Sequence, residues 1–397
     1  MKSLQVLKKT IFLLIIFSTN IQLAICQTVI SSWATLASDA RPQSIAVDAS
    51  GNVYTGNYGN YSVSKITPAG VCTQSWAVLA PFAQPTAIAI DAVGNVYTAN
   101  LGNITVSKIT AAGVCTQSWA TLGANPTGIA IDASGNVYTA NYSNNTVSKI
   151  TPAGVCTQSW ATLASGAGPN GLAIDAVGNV YTANYSNNTV SKITPAGTCT
   201  QAWATLASNA SPFSIAIDAS GNVFVANKNG TVSKITPEAV CTQSWAALAS
   251  GTMPYSVAVD ASGNVYTANF SSGTVSRITA AGVCTQSWAT GTYPYSIAID
   301  ASGNVYTANS VFNTVSKITS ATALPNVSED GCKVFGMGKN IIVEGALSDS
   351  QFIVYSIFGK IIASGVLCGN TIQLSPSVAA GVYLVKLNNK MTKVILD

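Results

Sequence analysis

Residues 44–57 read Ser44-Ile45-Ala46-Val47-Asp48-Ala49-Ser50-Gly51-Asn52-Val53-Tyr54-Thr55-Gly56-Asn57. Two short alternating apolar runs flank an Asp-Ala-Ser-Gly-Asn turn, the pattern of a β-hairpin. The same string returns six more times. Its aspartates are Asp48, Asp91, Asp132, Asp175, Asp218, Asp260 and Asp300, spaced 43, 41, 43, 43, 42 and 40 residues apart. All seven tryptophans keep the beat: Trp33, Trp76, Trp119, Trp160, Trp203, Trp245 and Trp288. A period of about 40–45 residues filled with short strands predicts a β-propeller.

One period parses into four strands. Ser44 to Asp48 is the first, Asn52 to Thr55 the second, Ser62 to Ile66 the third and Val71 to Leu79 the fourth. Seven copies supply strands one to three. The seventh loses the pattern after Thr319, and no tryptophan follows it. An orphan, Trp33-Ala34-Thr35-Leu36, precedes the first copy. The expected fold is therefore all-β: a seven-bladed propeller closed by the N-terminal strand, which leaves no blade incomplete. Six cysteines recur at one repeat position: Cys72, Cys115, Cys156, Cys199, Cys241 and Cys284. Equivalent points on neighbouring blades lie too far apart to bridge, so these are expected as small buried residues packed with the tryptophans.

Only 8% of residues are charged, against roughly 25% in an average soluble protein. The net charge of +4 includes three leader lysines; residues 27–323 hold nine basic and nine acidic side chains. No basic surface is left for a phosphate backbone, so nucleic acid is not an expected partner. The first 26 residues read as an export signal. Lys8 and Lys9 precede the apolar run Ile11 to Phe17, too short to span a bilayer, and cleavage fits before Gln27.

The Asp-Ala-Ser-Gly-Asn-Val-Tyr core, followed by Thr-Val-Ser-Lys-Ile, resembles the NHL repeats and the bacterial streptogramin-lyase-like propellers, over roughly residues 30–320. Beyond Ala323 the composition changes. The strings Val354 to Lys360, Ala380 to Lys386 and the terminal Lys393 to Leu396 resemble the sorting domain of the Bacteroidota type IX secretion system. The expected division is a signal peptide over 1–26, the propeller over 27–323 and a small β-sandwich sorting domain over 324–397. The resemblance implies a secreted or cell-surface protein that engages the type IX machinery. Cys332 and Cys368, outside the repeats, are a possible pair.

Chemistry is sparse. The nine propeller acids are the seven repeat aspartates with Asp39 and Glu238; the nine bases are seven repeat positions with Arg41 and Lys228. There is no histidine anywhere, which excludes Ser–His–Asp and Cys–His sites and the histidine mechanism that the streptogramin-lyase resemblance implies. The aspartates read as turn formers and not metal ligands; no metal or cofactor is expected. The repeat lysines either pair with the aspartates or lie on a solvated face. The asparagines ending each second strand (Asn57, Asn100, Asn141, Asn184, Asn227, Asn269, Asn309) read as loop caps, or as a ring of amides at the channel mouth.

The copies differ in the loop from the fourth strand into the next first strand and in the loop between strands two and three. In an antiparallel blade both emerge on one face. That face carries the candidate ligand-binding residues Arg41, Tyr58, Tyr142, Tyr185, Phe213, Lys228, Tyr255, Phe270 and Tyr295. Aromatic rings with amides and hydroxyls suit sugar rings or extended peptides. The expectation is a surface module, not an enzyme, that binds an extracellular glycan or protein. The alternatives are a histidine-free lyase on the same scaffold and a structural surface or matrix protein.

Overall fold

The computed structural model describes residues 29–290 and 293–319 and, beyond them, the segments 333–337, 340–344, 351–356, 360–366, 371–373, 381–387 and 390–396. The chain starts with β1 (Val29–Thr35). Blade 1 follows with β2 (Pro42–Val47), β3 (Val53–Asn57), β4 (Ser62–Ile66) and β5 (Cys72–Val78). Five further blades repeat this order, each a four-stranded antiparallel sheet, as far as Cys284–Ala289. The seventh takes three strands from Pro294–Ile299, Val305–Asn309 and Thr314–Ile318, and β1 as its fourth. The fold is the expected seven-bladed ring with an N-terminal closing strand. The first strands are innermost: each touches its counterpart on the next blade, and the seven close a ring.

The second strand of every blade is buried end to end, so its polar residues must find partners within the sheet. Thr55 donates to Asn57 Oδ1 at 2.9 Å, and Asn57 Nδ2 donates to the hydroxyls of Ser62 and Ser64, both at 2.9 Å. These asparagines are at most 1% exposed. They tie strand two to strand three inside the blade and form no ring of amides at the channel. Blade 5 breaks the pattern, because Val225 stands where the other blades carry threonine. Asn227 Oδ1 is left buried with no partner. Val225→Thr, nearly isosteric, is expected to raise stability by about 1 kcal/mol, read as a higher denaturant midpoint at unchanged slope.

The turn aspartates act as expected. Asp48 Oδ1 accepts from the amides of Ser50 and Asn52, and Oδ2 accepts from Asn52 Nδ2 and Tyr54 Oη. Partial burial alone would push this carboxyl up; the donated hydrogen bonds outweigh it and hold it below its ordinary value. The repeat lysines stay part-exposed on the strand face, where rings and not aspartates hold them. Lys65 Nζ lies 5.5 Å from the ring centroids of both Tyr54 and Trp76. Lys108, Lys149, Lys192, Lys234 and Lys317 sit over the matching rings of their blades. The quadrupoles of the rings hold the ammonium there.

The fourth strand is less regular than its alternation suggests. Val63 pairs with Ala77 and Lys65 with Thr73, so Gln74, Ser75 and Trp76 stand opposite Ser64 alone. Ser75 takes a left-handed backbone, φ 49°. This bulge twists the exposed edge and blunts it against pairing with other chains. It also delivers Trp76 to the next blade, where the indole packs over the left-handed Gly113; a Cβ there would lie 3.1 Å from Trp76 Nε1. Cys115 packs in that same cluster. Five repeat cysteines do pack with tryptophans between blades, but these five are half-buried and Cys284 is exposed, short of the full burial expected.

Residues 321–397 belong to a second compact unit. Its described strands form a three-stranded sheet (Lys333–Met337, Asn340–Glu344, Thr371–Gln373) and a four-stranded sheet (Gln351–Ser356, Ile361–Val366, Gly381–Leu387, Lys390–Leu396), a small β-sandwich. Val354 and Val385 are buried between strands. Cys332, Cys368 and the leader lie outside the described residues. Among the described residues no helix is long and apolar enough to cross a membrane.

Candidate functional site

Each first strand starts at the channel mouth with a proline, and the next residue points its variation inward. A depression of about 680 Å³ opens there, and all seven blades line it. Two positions per repeat supply the variable residues of the wall. The residue after the proline gives Gln43, Thr86, Thr127, Asn170, Phe213, Tyr255 and Tyr295; the residue after the buried asparagine gives Tyr58, Leu101, Tyr142, Tyr185 and Lys228.

Of the nine candidate residues, seven line this depression: Tyr58, Tyr142, Tyr185, Phe213, Lys228, Tyr255 and Tyr295. Phe270 stands behind it and stacks on Tyr255, centroids 4.5 Å apart and planes within 7°. Arg41 does not line it. Arg41 is exposed on the outer loop, its backbone amide donating to Asn313 Oδ1 at 2.6 Å. Reading the variable positions for aromatics and charge missed Gln43, Thr86, Thr127 and Asn170. The signal was present, since they occupy the same repeat position as Phe213, Tyr255 and Tyr295.

The rings form a continuous wall. Tyr142 lies 6.5 Å from Tyr185, Tyr185 meets Phe213 edge-on at 6.3 Å, and Phe213 stacks on Tyr255 at 4.6 Å. Tyr295 closes the group at right angles to Tyr255, 5.2 Å away. Each such pair contributes about 0.5–1.5 kcal/mol beyond its buried area, so the wall is preorganised. Burial, followed by the neighbouring Tyr255 and Tyr58, pushes the Tyr295 phenol up to about 12. It is a proton donor at neutral pH. Lys228 Nζ stands 5.4 Å from the ring centres of Tyr185 and Phe213 and 4.8 Å from that of Tyr255. Among the described residues it is the one charged side chain lining the depression. On the opposite wall Thr86 and Thr127 donate to the carbonyl oxygens of Pro126 and Pro169 on the following blades, at 3.1 and 2.9 Å.

Among the described residues no group of three or more histidine, cysteine or acidic side chains is placed to hold a metal ion. The chemistry on offer is an ammonium, several phenols, amides and a flat apolar face.

Comparison with known proteins places this geometry. The model of the virginiamycin B lyase family matches residues 28–318. No curated protein matches the sequence. Among solved structures, virginiamycin B lyase from Staphylococcus aureus is similar at a TM-score of 0.66 and 17% identity, over 74% of this chain and 98% of that one. A catalytically inactive histidine-to-alanine variant of that enzyme with quinupristin gives 0.65 and 17%, with the same coverage. The extracellular domain of a one-component system from B. thetaiotaomicron gives 0.54 and 15%, over 90% of this chain and 56% of that chain. At these identities the structural likeness shows the fold. The family match does more: it is to a family of lyases, and it overturns the expectation that this chain is not an enzyme. The missing histidine excludes one mechanism, not the class of reaction.

Proposed function

The chain belongs to the virginiamycin B lyase family, and from that premise we propose that it is an exported propeller that binds a glycan or an extended peptide at its mouth and breaks it by elimination. The observation that carries this reading is the convergence of Tyr185, Phe213, Tyr255, Tyr295 and Lys228 on one depression. In an elimination a base removes the proton beside a carbonyl or carboxyl group. The bond from the next carbon to oxygen breaks, a double bond forms, and the departing oxygen regains a proton. No water or oxidant is consumed.

The enolate that develops needs a preorganised positive group, usually the largest single contribution to such catalysis. Lys228 fills that role in this reading. Tyr295, a phenol protonated at neutral pH and lining the depression, is placed to donate to the departing oxygen. Tyr185 and Tyr255 are the phenols that flank the ammonium and are placed to move a proton beside it.

The test is formation of an unsaturated product, followed by ultraviolet absorbance, from a panel of polysaccharides and ester-linked peptides. Lys228→Ala is expected to lower kcat more than it raises KM, because the ammonium acts on charge that develops during the reaction. An unchanged rate in that variant would remove Lys228 from the chemistry.

Export rests on the basic and apolar leader, and the type IX route rests on the tail strings Val354 to Lys360 and Ala380 to Lys386. Fractionation of cells of the source organism, with mass spectrometry of the mature termini, is expected to find the propeller outside the inner membrane, starting at Gln27. A cytoplasmic chain that retains Met1 would refute it.

A further inference from the structure

The mouth is divided by chemistry as well as by blade. Blades 1–4 present Gln43, Thr86, Thr127 and Asn170 at the inner position; blades 5–7 present Phe213, Tyr255 and Tyr295 at the same position. At that position one side of the mouth is amides and hydroxyls and the other is aromatic faces; the position after the buried asparagine extends the aromatic side through Tyr185 and Tyr142. Lys228 belongs to the aromatic side, against the rings of Phe213 and Tyr255 and that of Tyr185 from blade 4. No carboxylate lines the depression among the described residues. Ring faces hold an ammonium by their quadrupoles but carry no countercharge, so the site keeps a net positive charge within a largely uncharged enclosure.

We propose that the ligand class of this mouth is an acidic sugar, a short oligosaccharide containing uronate residues. The inference rests on the mouth being the ligand site and names what it takes. A pyranose ring has an apolar C–H face and an edge of hydroxyls, which match the two walls. The Phe213–Tyr255 stack offers a flat surface for the former, and the Gln43 and Asn170 amides, which can donate and accept, suit the latter. The uronate carboxylate supplies the charge that Lys228 lacks, in a charge-assisted contact. An acidic peptide would satisfy Lys228, but its extended backbone has no flat apolar face for the stacked rings. The volume of about 680 Å³ lies in the usual range for small-ligand sites and has room for a short chain of sugars.

The test uses the full-length protein and calorimetric titration with defined trisaccharides of galacturonate, mannuronate, and glucuronate alternating with N-acetylglucosamine. Controls are their methyl esters, a neutral galactose trisaccharide and a short poly-glutamate peptide. At least one acidic trisaccharide is expected to bind at least tenfold more tightly than its ester, with an affinity that falls as salt rises. Lys228→Gln is expected to remove that tenfold preference, read as the ratio of acid to ester affinity within the one variant. Tyr255→Ala is expected to weaken acid and ester alike, with the melting curve confirming that the variant is folded.

Equal binding of acid and ester, or an acidic preference that survives Lys228→Gln, would overturn the inference; a loss in Tyr255→Ala would still leave the mouth as the ligand site. Indifference to both variants would remove the mouth reading as well. Preference for the poly-glutamate peptide, or no binding by any acidic sugar, overturns the sugar class.

Discussion

Removal of residues 29–36 is expected to open the propeller, and it is the most damaging change considered for this chain. Those residues form the outer strand of blade 7. Ala34 and Leu36 are 4% and 3% exposed, and Trp33 packs its ring 5.2 Å from Tyr306. Leu36 donates its amide to Asn313 O, and Ser316 donates its hydroxyl to Ser31 O. The strand also serves blade 1, where Trp33 covers Gly70 and packs with Cys72. Its loss exposes apolar surface at two blade interfaces, about 5 kcal/mol for a buried leucine, a half-buried tryptophan and their neighbours. That is a large part of the 5–15 kcal/mol available to a typical fold. It also frees Thr314–Ile318 as an unbulged edge strand, which invites association. Calorimetry is expected to show a melting midpoint roughly 10 °C lower, and size-exclusion chromatography to show oligomers. A synthetic peptide of residues 29–36 is expected to restore part of the loss. A truncated chain that melts where the intact one does would refute strand closure as the source of ring stability.

Asp132→Ala is expected to cost about 3 kcal/mol, because it strands four donors at once. Oδ1 accepts from the amides of Ser134 and Asn136 at 2.9 and 2.8 Å; Oδ2 accepts from Asn136 Nδ2 at 2.8 Å and Tyr138 Oη at 3.0 Å. Tyr138 is 1% exposed and supports both Trp160 and Lys149, so the damage reaches the packing between blades. Asp218→Ala is the internal control. Phe224 replaces the tyrosine there, only three donors are left unpaired, and the expected loss is smaller.

The effect depends on pH in a fixed direction. Partial burial pushes Asp132 up, but the hydrogen bonds from Asn136, Tyr138 and Ser134 outweigh it and leave the carboxyl below its ordinary 3.8. A carboxyl whose folded value is depressed contributes stability that is complete above its unfolded value and is lost as pH falls through the folded one. The gap between intact protein and variant is therefore expected to be full near neutral pH and to narrow below about pH 4. A gap that widens on acidification would contradict the role given to this carboxylate. Chemical denaturation at a series of pH values measures both points.

Much of this protein is written in its repeat. Period, blade count and strand closure follow from spacing alone, since each blade is the same four-stranded unit and an unpaired outer strand must find the one blade that lacks it. The turn role of Asp48 and its equivalents follows as well, because its partners lie two to six residues away. Composition misled on enzymatic character: absence of histidine bears on how a reaction runs, and membership of a lyase family bears on whether one does.

Other features belong to the assembled ring. The lysines were legible as a column but not as cations held between rings, because Trp76 reaches Lys65 only through the bulge at Ser75. The asparagines were legible at strand ends but not as buried, since burial comes from neighbouring blades. The nine candidate residues share a face because two loops of an antiparallel blade emerge at the same end, and only the ring decides which meet. Phe213, Tyr255 and Tyr295 are about forty residues apart and converge because their strands are innermost, whereas Arg41, on the same face, is left outside. Sequence fixes what each blade repeats, through hydrogen bonds and packing that close within one period. The radial order of strands, a property of seven blades packed face to face, decides which of the unrepeated side chains share a site.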